Sequence, residues 1–389
     1  MLQFSQEYAV YLSRLALTNY RNFPDLELAL PAGMVFILGR NAQGKSNLLE
    51  AAYLLAIGKS YHANTDRELI HLKALEDVPS PGSGQALITG EVEHRDGRLK
   101  VIMGLQAIAA EGAGGPLVHK QIRVNGVPTP VTGLVGRINA VLFTASDIDL
   151  VMGSPSGRRR FLDILISQAD RGYLRALQRY QRVVTQRNHL LRLIREGRGS
   201  REELDFWDAE LVKEGVAIIA QRDQVLEQLA PLARKTYSEL AGSQEELTLA
   251  FQPAVPAQGL EEVLREQRER EIGAGMTLHG PHRDDLLLEV EGMNAAIYAS
   301  RGQARTVALA LRLAEALFLK KARGEEPILL LDDVLSELDP QRRHHVLEEA
   351  GRYQQVLTTT AEPALVSDTP VPPSAVFTVE NGQVTPSQR

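Results

Sequence analysis

The 389-residue sequence contains no cysteine. That absence excludes disulfide frameworks, zinc–cysteine sites and thiol nucleophiles together, and nothing points to an oxidising compartment. No uncharged apolar run approaches the ~20 residues of a membrane span. The longest candidate, Thr306 to Leu319, is interrupted by Arg312 and Glu315. Met1 to Val10 has no basic segment leading into an apolar core, so no secretory leader is expected. An excess of positive charge is missing too. Lys and Arg number 43 against 49 Asp and Glu, a net charge of −6. A globally basic nucleic-acid coat is thereby excluded, although a local basic patch is not. What remains is 44% hydrophobic and 24% charged, an ordinary globular composition with enough apolar residues for a sizeable core. The length suggests two or three domains. The expectation is a cytoplasmic protein with no membrane partner.

Patterning divides the chain. Leu15 to Phe23 alternates like a strand ending in a turn, and Leu26, Leu28 and Leu30 alternate after it. Met34 to Leu38 is an unbroken apolar run of strand length, as in a buried parallel strand. Lys45 to Ala56 has helical composition. Short strands are expected over 86 to 104, with hairpin signals at Asp96-Gly97 and Asn125-Gly126. The character changes at Gly153-Ser154-Pro155. From Ser156 to about Arg201, and again from Glu202 to Leu240, apolar residues recur three and four apart, as in helices. Strands return from Met276, and Ile328 to Leu331 is a second fully apolar strand. Ala375 to Val379 is the last, followed by an Asn381-Gly382 turn. The reading is an α/β fold: residues 1–152 with 276–389 form one lobe, including a β subdomain at about 86–140, and 153–275 form an inserted, mainly helical lobe.

Gly39-Arg40-Asn41-Ala42-Gln43-Gly44-Lys45-Ser46 fits G-x4-G-K-S, a phosphate-binding loop. Its backbone N–H groups can wrap the β- and γ-phosphates, and glycine permits that close approach. Lys45 supplies a positive charge, and the Ser46 hydroxyl suits Mg²⁺. A helix opening directly after the loop adds a favourable dipole. Ile328 to Leu331 ends in Asp332-Asp333. A carboxylate at such a strand end belongs beside the metal of a nucleotide site: Asp332 takes that role, and Asp333 would orient or deprotonate an attacking water. Ser300-Arg301-Gly302-Gln303 opens a strongly helical stretch and offers a second anion site through Ser300, Gly302 and Gln303.

The order of these motifs, followed by Ser336-Glu337-Leu338-Asp339, resembles ABC-type ATPases. There the SxG turn of one subunit meets the γ-phosphate held by another, and Ser336 to Asp339 is similar to the D-loop. Gly39 and Ser300 are 261 residues apart. That is too long for a transporter ATPase and is similar to the SMC-like branch, which acts on DNA. The strings LTNYRNF, GRNAQGKSNLLEAAYLLAIGKSY, GSPSGRRRFLD, HGPHRDDL, ASRGQARTVALALRLAEA and LLLDDVLSELD closely resemble the RecF family of bacterial recombination mediators. The resemblance runs from residue 17 to 339. It implies an ABC-type lobe carrying an antiparallel β subdomain, ATP and Mg²⁺ as cofactors, an ATP-dependent homodimer, and DNA binding at gaps, single strands or duplex junctions. It also implies recombinase loading and stalled-fork recovery with RecO and RecR type partners within the SOS response, and slow, DNA-stimulated hydrolysis used as a conformational switch. Val356-Leu357-Thr358-Thr359-Thr360 stands where ABC ATPases carry a switch histidine, and Asp333 stands where they usually carry the longer glutamate. Both departures point to slow hydrolysis, and RecF relatives share the Asp-Asp pair.

One tract bears on DNA. Arg158 to Arg201 holds twelve arginines, no lysine and three acids. Arg175, Arg179 and Arg182 recur at helical spacing with Tyr173 and Tyr180 interleaved, a stripe that can follow phosphates. The competing reading is a solvated face paired with acids from elsewhere. Arg158, Arg159 and Arg160 can instead organise the junction between lobes, and His282-Arg283-Asp284-Asp285 can serve a salt-bridge network or an interdomain contact. An SMC-like tether is disfavoured, because the helical middle is only about 115 residues long.

Overall fold

The computed structural model describes residues 10–76, 84–95, 97–108, 117–242 and 245–387. The chain falls into two compact units, residues 1–145 with 319–389, and residues 146–318. The first unit begins with β1 (Tyr11–Tyr20), β2 (Phe23–Ala29), β3 (Gly33–Leu38), helix α1 (Lys45–Ile57), β4 (Gln85–His94), β5 (Gly97–Ile108), β6 (Leu117–Val124), β7 (Val127–Pro128) and β8 (Ala140–Thr144). The second comprises α2 (Pro155–Ala169), α3 (Arg171–Arg195), α4 (Glu203–Ala241), β9 (Leu247–Gln252), α5 (Leu260–Ala274), β10 (Asp285–Val290), β11 (Met293–Asn294) and most of α6 (Arg301–Arg323). The chain then returns to the first unit for β12 (Ile328–Asp332), α7 (Pro340–Ala350), β13 (Gln355–Thr360), β14 (Ala375–Glu380) and β15 (Gln383–Pro386).

The first unit is built on two six-stranded sheets. The mixed sheet has the order β15-β14-β3-β13-β12-β8, and all its pairings are parallel except β14 with β15. Its central strands are uninterrupted apolar runs because both faces are covered: Met34 to Ile37 and Ile328 to Leu331 are all buried. The other sheet is antiparallel, ordered β2-β1-β4-β5-β6-β7. It therefore extends beyond the expected 86–140 subdomain by taking in β1 and β2. Helix α1 is buried almost all round, as a helix packed on two sides must be, and it packs against strands of both sheets. The Asn125-Gly126 signal holds: both residues have positive φ, and Val124 pairs with Val127 across the turn. Asp96, in the other expected hairpin signal, lies outside the described residues, although His94 pairs with Gly97.

In the second unit the long helical tract is divided. Asp170 leaves the helical conformation (φ −133°) and accepts a hydrogen bond from the Gly172 amide at 2.5 Å. That Asx cap ends α2 and starts α3. Apolar residues of α3, α4 and α5 meet in a cluster of Leu190, Leu191, Ile194, Leu204 and Ile272, with Trp207 packed against it. Residues 276–318 were expected in the ATPase lobe. They belong instead with the helices, because β10 pairs along its length with β9 (Asp285 with Gln252 through Val290 with Leu247). The 241–275 stretch supplies that β9 strand and α5.

Candidate nucleotide site

The phosphate-binding loop follows β3, and Lys45 begins α1. Gly44 has φ 108°, and a Cβ there would lie 2.3 Å from Nδ2 of Asn22. Gly39 has φ 157°, and a Cβ there would lie 2.5 Å from the Val379 carbonyl oxygen. The backbone contact at Gly39 and the left-handed φ of Gly44 each disfavour a side chain, so the glycines serve the loop's own packing as well as ligand access. The loop is braced from two turns. Asn22, between β1 and β2, donates through Nδ2 to the Gln43 carbonyl (2.9 Å) and accepts through Oδ1 from Asn47 (2.7 Å). Asn381, in the expected β14–β15 turn, donates its amide to Gln43 Oε1 at 2.7 Å. Lys45 is buried, and its Nζ donates to the carbonyls of Gly39 (2.8 Å) and Arg40 (3.1 Å). Burial lowers its pKa, opposed by the charges of Asp333 and Asp332. Arg40, Asn41 and Ala42 are exposed, and Ala42 sits at φ 65°, a strained position for a residue with a Cβ.

Asp332 ends β12 and is the centre of the site. Ser46 Oγ donates to its Oδ1 at 2.7 Å, and Thr359 Oγ1 donates to the same oxygen at 2.9 Å. Tyr61 donates to Oδ2 at 2.9 Å, and His62 Nε2 lies 3.6 Å from Oδ2. Burial would raise the carboxyl's pKa, but these donors outweigh it and hold Asp332 below the ordinary aspartate value. An ionised carboxylate beside a serine hydroxyl is a hard oxygen pair, the donor chemistry that Mg²⁺ takes. Asp333 follows in the left-handed region (φ 51°) and donates its amide to Thr359 Oγ1 at 2.9 Å. Its carboxyl pKa is raised, burial outweighing the pull of Lys45, so the group leans towards taking up a proton.

Several residues escaped the sequence reading. Tyr61 and His62 stand fifteen and sixteen residues past Ser46; Tyr61 closes the GRNAQGKSNLLEAAYLLAIGKSY string, but the sequence assigns neither of them a role. They are held by Ser60, whose hydroxyl accepts from the amides of His62 (2.9 Å) and Ala63 (2.6 Å) and donates to Glu50. Glu50 is fully buried on α1. It is clamped by Arg21 (2.7 and 2.8 Å) and by the Tyr20 hydroxyl (2.6 Å), both from the LTNYRNF string. The threonine run is also resolved. All three side chains are fully buried; Thr359 binds Asp332, Thr360 Oγ1 accepts from the Glu362 amide, and Thr358 Oγ1 has no partner among the described residues.

Ser300 and Gln303 form a capping box at the start of α6. The Ser300 hydroxyl accepts from the Gln303 amide (3.2 Å), and Gln303 Oε1 accepts from the Ser300 amide (3.0 Å). Ser300, Arg301 and Gly302 are exposed. Ser336 donates to the Asp333 carbonyl at 2.8 Å, and Asp339 caps α7 by accepting from the Arg342 amide at 3.0 Å.

Part of the arginine tract is matched by acids within its own unit. Arg158 makes a two-pronged pair with Asp285 (2.7 and 2.9 Å), and Arg179 does so with Glu214 (2.6 and 2.9 Å). Arg187 is fully buried between Asp208 and Glu271, 2.7 Å from each. Tyr173 and Tyr180 are buried, so no aromatic surface interleaves the stripe. Arg175, Arg179 and Arg182 do lie exposed on one face of α3. The His282 to Asp285 segment has a structural occupation: His282 Nδ1 accepts from the Tyr180 hydroxyl (2.6 Å), and Arg222 binds Asp284 (2.9 Å) and Asp163 (2.8 Å).

The profile of the RecF/RecN/SMC N-terminal domain family matches residues 11–385. A DNA replication and repair protein RecF from Herpetosiphon aurantiacus is 41% identical over 363 residues, spanning 90% of this chain and 93% of that protein. This chain belongs to the RecF family. The RecF of Bacillus subtilis is 36% identical over 385 residues, 96% of this chain and 99% of that protein. The solved structure of the recombination mediator protein RecF with ATP, in the RecFOR pathway, matches with a TM-score of 0.87 at 30% identity. The match covers 99% of this chain and 100% of that one. An Smc head domain from Pyrococcus furiosus shares the fold at a TM-score of 0.54 and 14% identity, over 97% of this chain and 96% of that one. The RecF family thus accounts for both the ABC/SMC-like ATPase fold and the helical insertion. Among the described residues no helix is long and apolar enough to cross a membrane.

Proposed function

We propose that this chain is an ATP-switched DNA-repair protein of the RecF kind, which closes as a two-fold dimer on DNA when it binds ATP and Mg²⁺ and opens after slow hydrolysis. The observation that carries the reading is the 2.7 Å contact between Ser46 and an ionised Asp332 at the mouth of the phosphate-binding loop. Gly39 to Ser46 would hold the phosphates, and Lys45 would leave its carbonyl partners for them. Ser46 and Asp332 would hold Mg²⁺, which neutralises phosphate charge. Asp333, with its raised pKa, suits a base that positions water. Its short side chain and the burial of all three threonines support slow turnover. The named ATP complex of a RecF relative supports the cofactor, and that relative's RecFOR pathway supports partners of the RecO and RecR type. Exposed Ser300 and Gly302, with half-buried Gln303, are read as the part of the site lent to a second copy, so each ATP would bridge two subunits. The exposed arginines of α3 remain the candidate DNA contacts.

Sedimentation with and without ATP and Mg²⁺ tests this. The wild-type chain is expected to shift from monomer to dimer with nucleotide. Ser300→Arg, which fills the exposed turn, should stay monomeric while single-chain ATP binding persists. A normal ATP-driven dimer in that variant refutes the composite site.

A further inference from the structure

We propose that Tyr61 is a positioning residue for the cation site: its hydroxyl holds one carboxylate oxygen of Asp332 and so fixes the plane in which the other faces Ser46. The proposal rests on the nucleotide reading above and adds a residue that no phosphate-loop or acidic-strand pattern contains.

A carboxylate at a strand end turns easily, because the last torsion of aspartate is broad and two-fold. A cation ligand must present one oxygen in one direction. Here the two oxygens are treated differently. Oδ1 receives Ser46 and Thr359, whereas Oδ2 receives Tyr61 at 2.9 Å. The Tyr61 oxygen is also 3.2 Å from the Ser46 carbonyl. Its single proton goes to the nearer, charged acceptor, since hydrogen bonds to an ionised oxygen are shorter and stronger. That assignment leaves Oδ2 engaged and Oδ1 on the side of the serine.

A residue can hold another only if it is itself held, and Tyr61 is. Its ring stands edge-on to Tyr53 on α1, with centroids 5.6 Å apart at 89°, and it lies against the His62 ring at 4.2 Å. The preceding Ser60 is tied through buried Glu50 to Arg21 and Tyr20 at the end of β1. The support for Asp332 therefore starts in the same β1–β2 turn whose Asn22 braces the phosphate-binding loop. One turn sets the position of both halves of the site, the loop through Asn22 and the acid through Arg21.

The test is Tyr61→Phe in the full chain, with Tyr61→Leu made in parallel. ATP binding is measured at equilibrium across a Mg²⁺ titration and again in EDTA. Outer partners of metal-ligating groups are worth roughly 10- to 100-fold in metal affinity. Both variants are therefore expected to need about 10-fold or more Mg²⁺ for half-maximal ATP binding, with binding in EDTA equal to wild type. A role confined to folding would lower both measurements together. Coincident Mg²⁺ curves for wild type and Tyr61→Phe overturn the proposal, as does an equal loss in EDTA. The nucleotide reading fails separately, and visibly, if wild-type ATP binding is indifferent to Lys45→Ala.

Discussion

Arg222→Met tests why the two strings that no ATPase motif explains, GSPSGRRRFLD and HGPHRDDL, are so distinctive. Arg222 lies on α4 and is 2% exposed. Its guanidinium bridges the two strings. It donates to Asp163 in the first (2.8 Å), to Asp284 in the second (2.9 Å), to the Pro281 carbonyl (2.7 Å) and to the Tyr173 hydroxyl (3.0 Å). Methionine fills most of the volume but donates nothing. The Asp284 carboxylate, 1% exposed, would keep only the Ala254 amide at 2.9 Å as a hydrogen-bond donor, and the Pro281 carbonyl would keep only the longer bond from the Asp284 amide at 3.3 Å. Stranding a buried charge in this way costs about 3–5 kcal/mol.

The assay uses the chain's single tryptophan. Trp207 packs on the α3–α4–α5 cluster, so its fluorescence reports the second unit alone. With a urea m-value of about 2 kcal/mol per M, the expected loss moves the midpoint down by roughly 1.5–2.5 M. The pH dependence is a second signature. Burial already raises the pKa of Asp284 in the wild-type chain, against the pull of Arg222. Without Arg222 its folded pKa rises further above the unfolded value. The penalty is then absent below the unfolded pKa and grows as pH rises through the folded one, so Arg222→Met should lose least near pH 4 and most at pH 8. A midpoint shift under about 0.5 M at pH 8, or one independent of pH, refutes the account.

Three further outcomes are expected. Asp333→Asn should keep ATP binding and slow turnover by about 10²–10⁴-fold, the usual range for a lost general base; wild-type turnover would remove Asp333 from that role. Arg175→Gln with Arg182→Gln should lower the slope of log K against log salt for duplex DNA by about 0.9 per lost contact, and an unchanged slope would mark the stripe as a solvated face. Arg179 is spared there because its loss would strand Glu214, which is 3% exposed. Burial pushes the pKa of His282 down to about 4, so this group's contribution is full above its unfolded pKa of about 6.5 and is lost as pH falls through 4. Stability should drop by about 3 kcal/mol more in wild type than in His282→Gln across that window, read by urea titration.

The elements with strong local codes were legible. Met34 to Leu38 and Ile328 to Leu331 read as buried strands because each is an unbroken apolar run of strand length. The loop after β3 follows from glycine spacing, and Asn125-Gly126 from the positive φ of a tight turn. What was missed depends on long-range pairing. The split at Asp170 is one side chain capping a helix, hidden inside a continuous periodic pattern. The lobe boundary was misplaced because the pairing of β9 with β10, which draws β10 to the helices, joins strands more than thirty residues apart in the chain. Pairing of the arginine tract with acids from elsewhere was foreseen, but not which arginines pair, because the acids Asp208, Glu214, Glu271 and Asp285 come later in the chain. Tyr61 closes the GRNAQGKSNLLEAAYLLAIGKSY string, but its role is not legible there, since it exists only once β12 has brought Asp332 beside α1.

Register decides what composition could not. In the mixed sheet β3, β13 and β12 run parallel, with Thr360 opposite Leu38 and Thr359 opposite Asp332. Their carboxyl ends meet on one side, the edge at which open α/β sheets gather ligands. Successive residues of a strand face opposite ways, so within Thr358-Thr359-Thr360 only the middle hydroxyl reaches the acid across the pair. A slip of one residue between β12 and β13 would turn Thr359 away, leave Asp332 without that donor and deprive the Asp333 amide of its acceptor. Three identical side chains thus acquire three different surroundings, and the one that matters is selected by the buried leucines that fix the register, not by anything written in the threonines themselves.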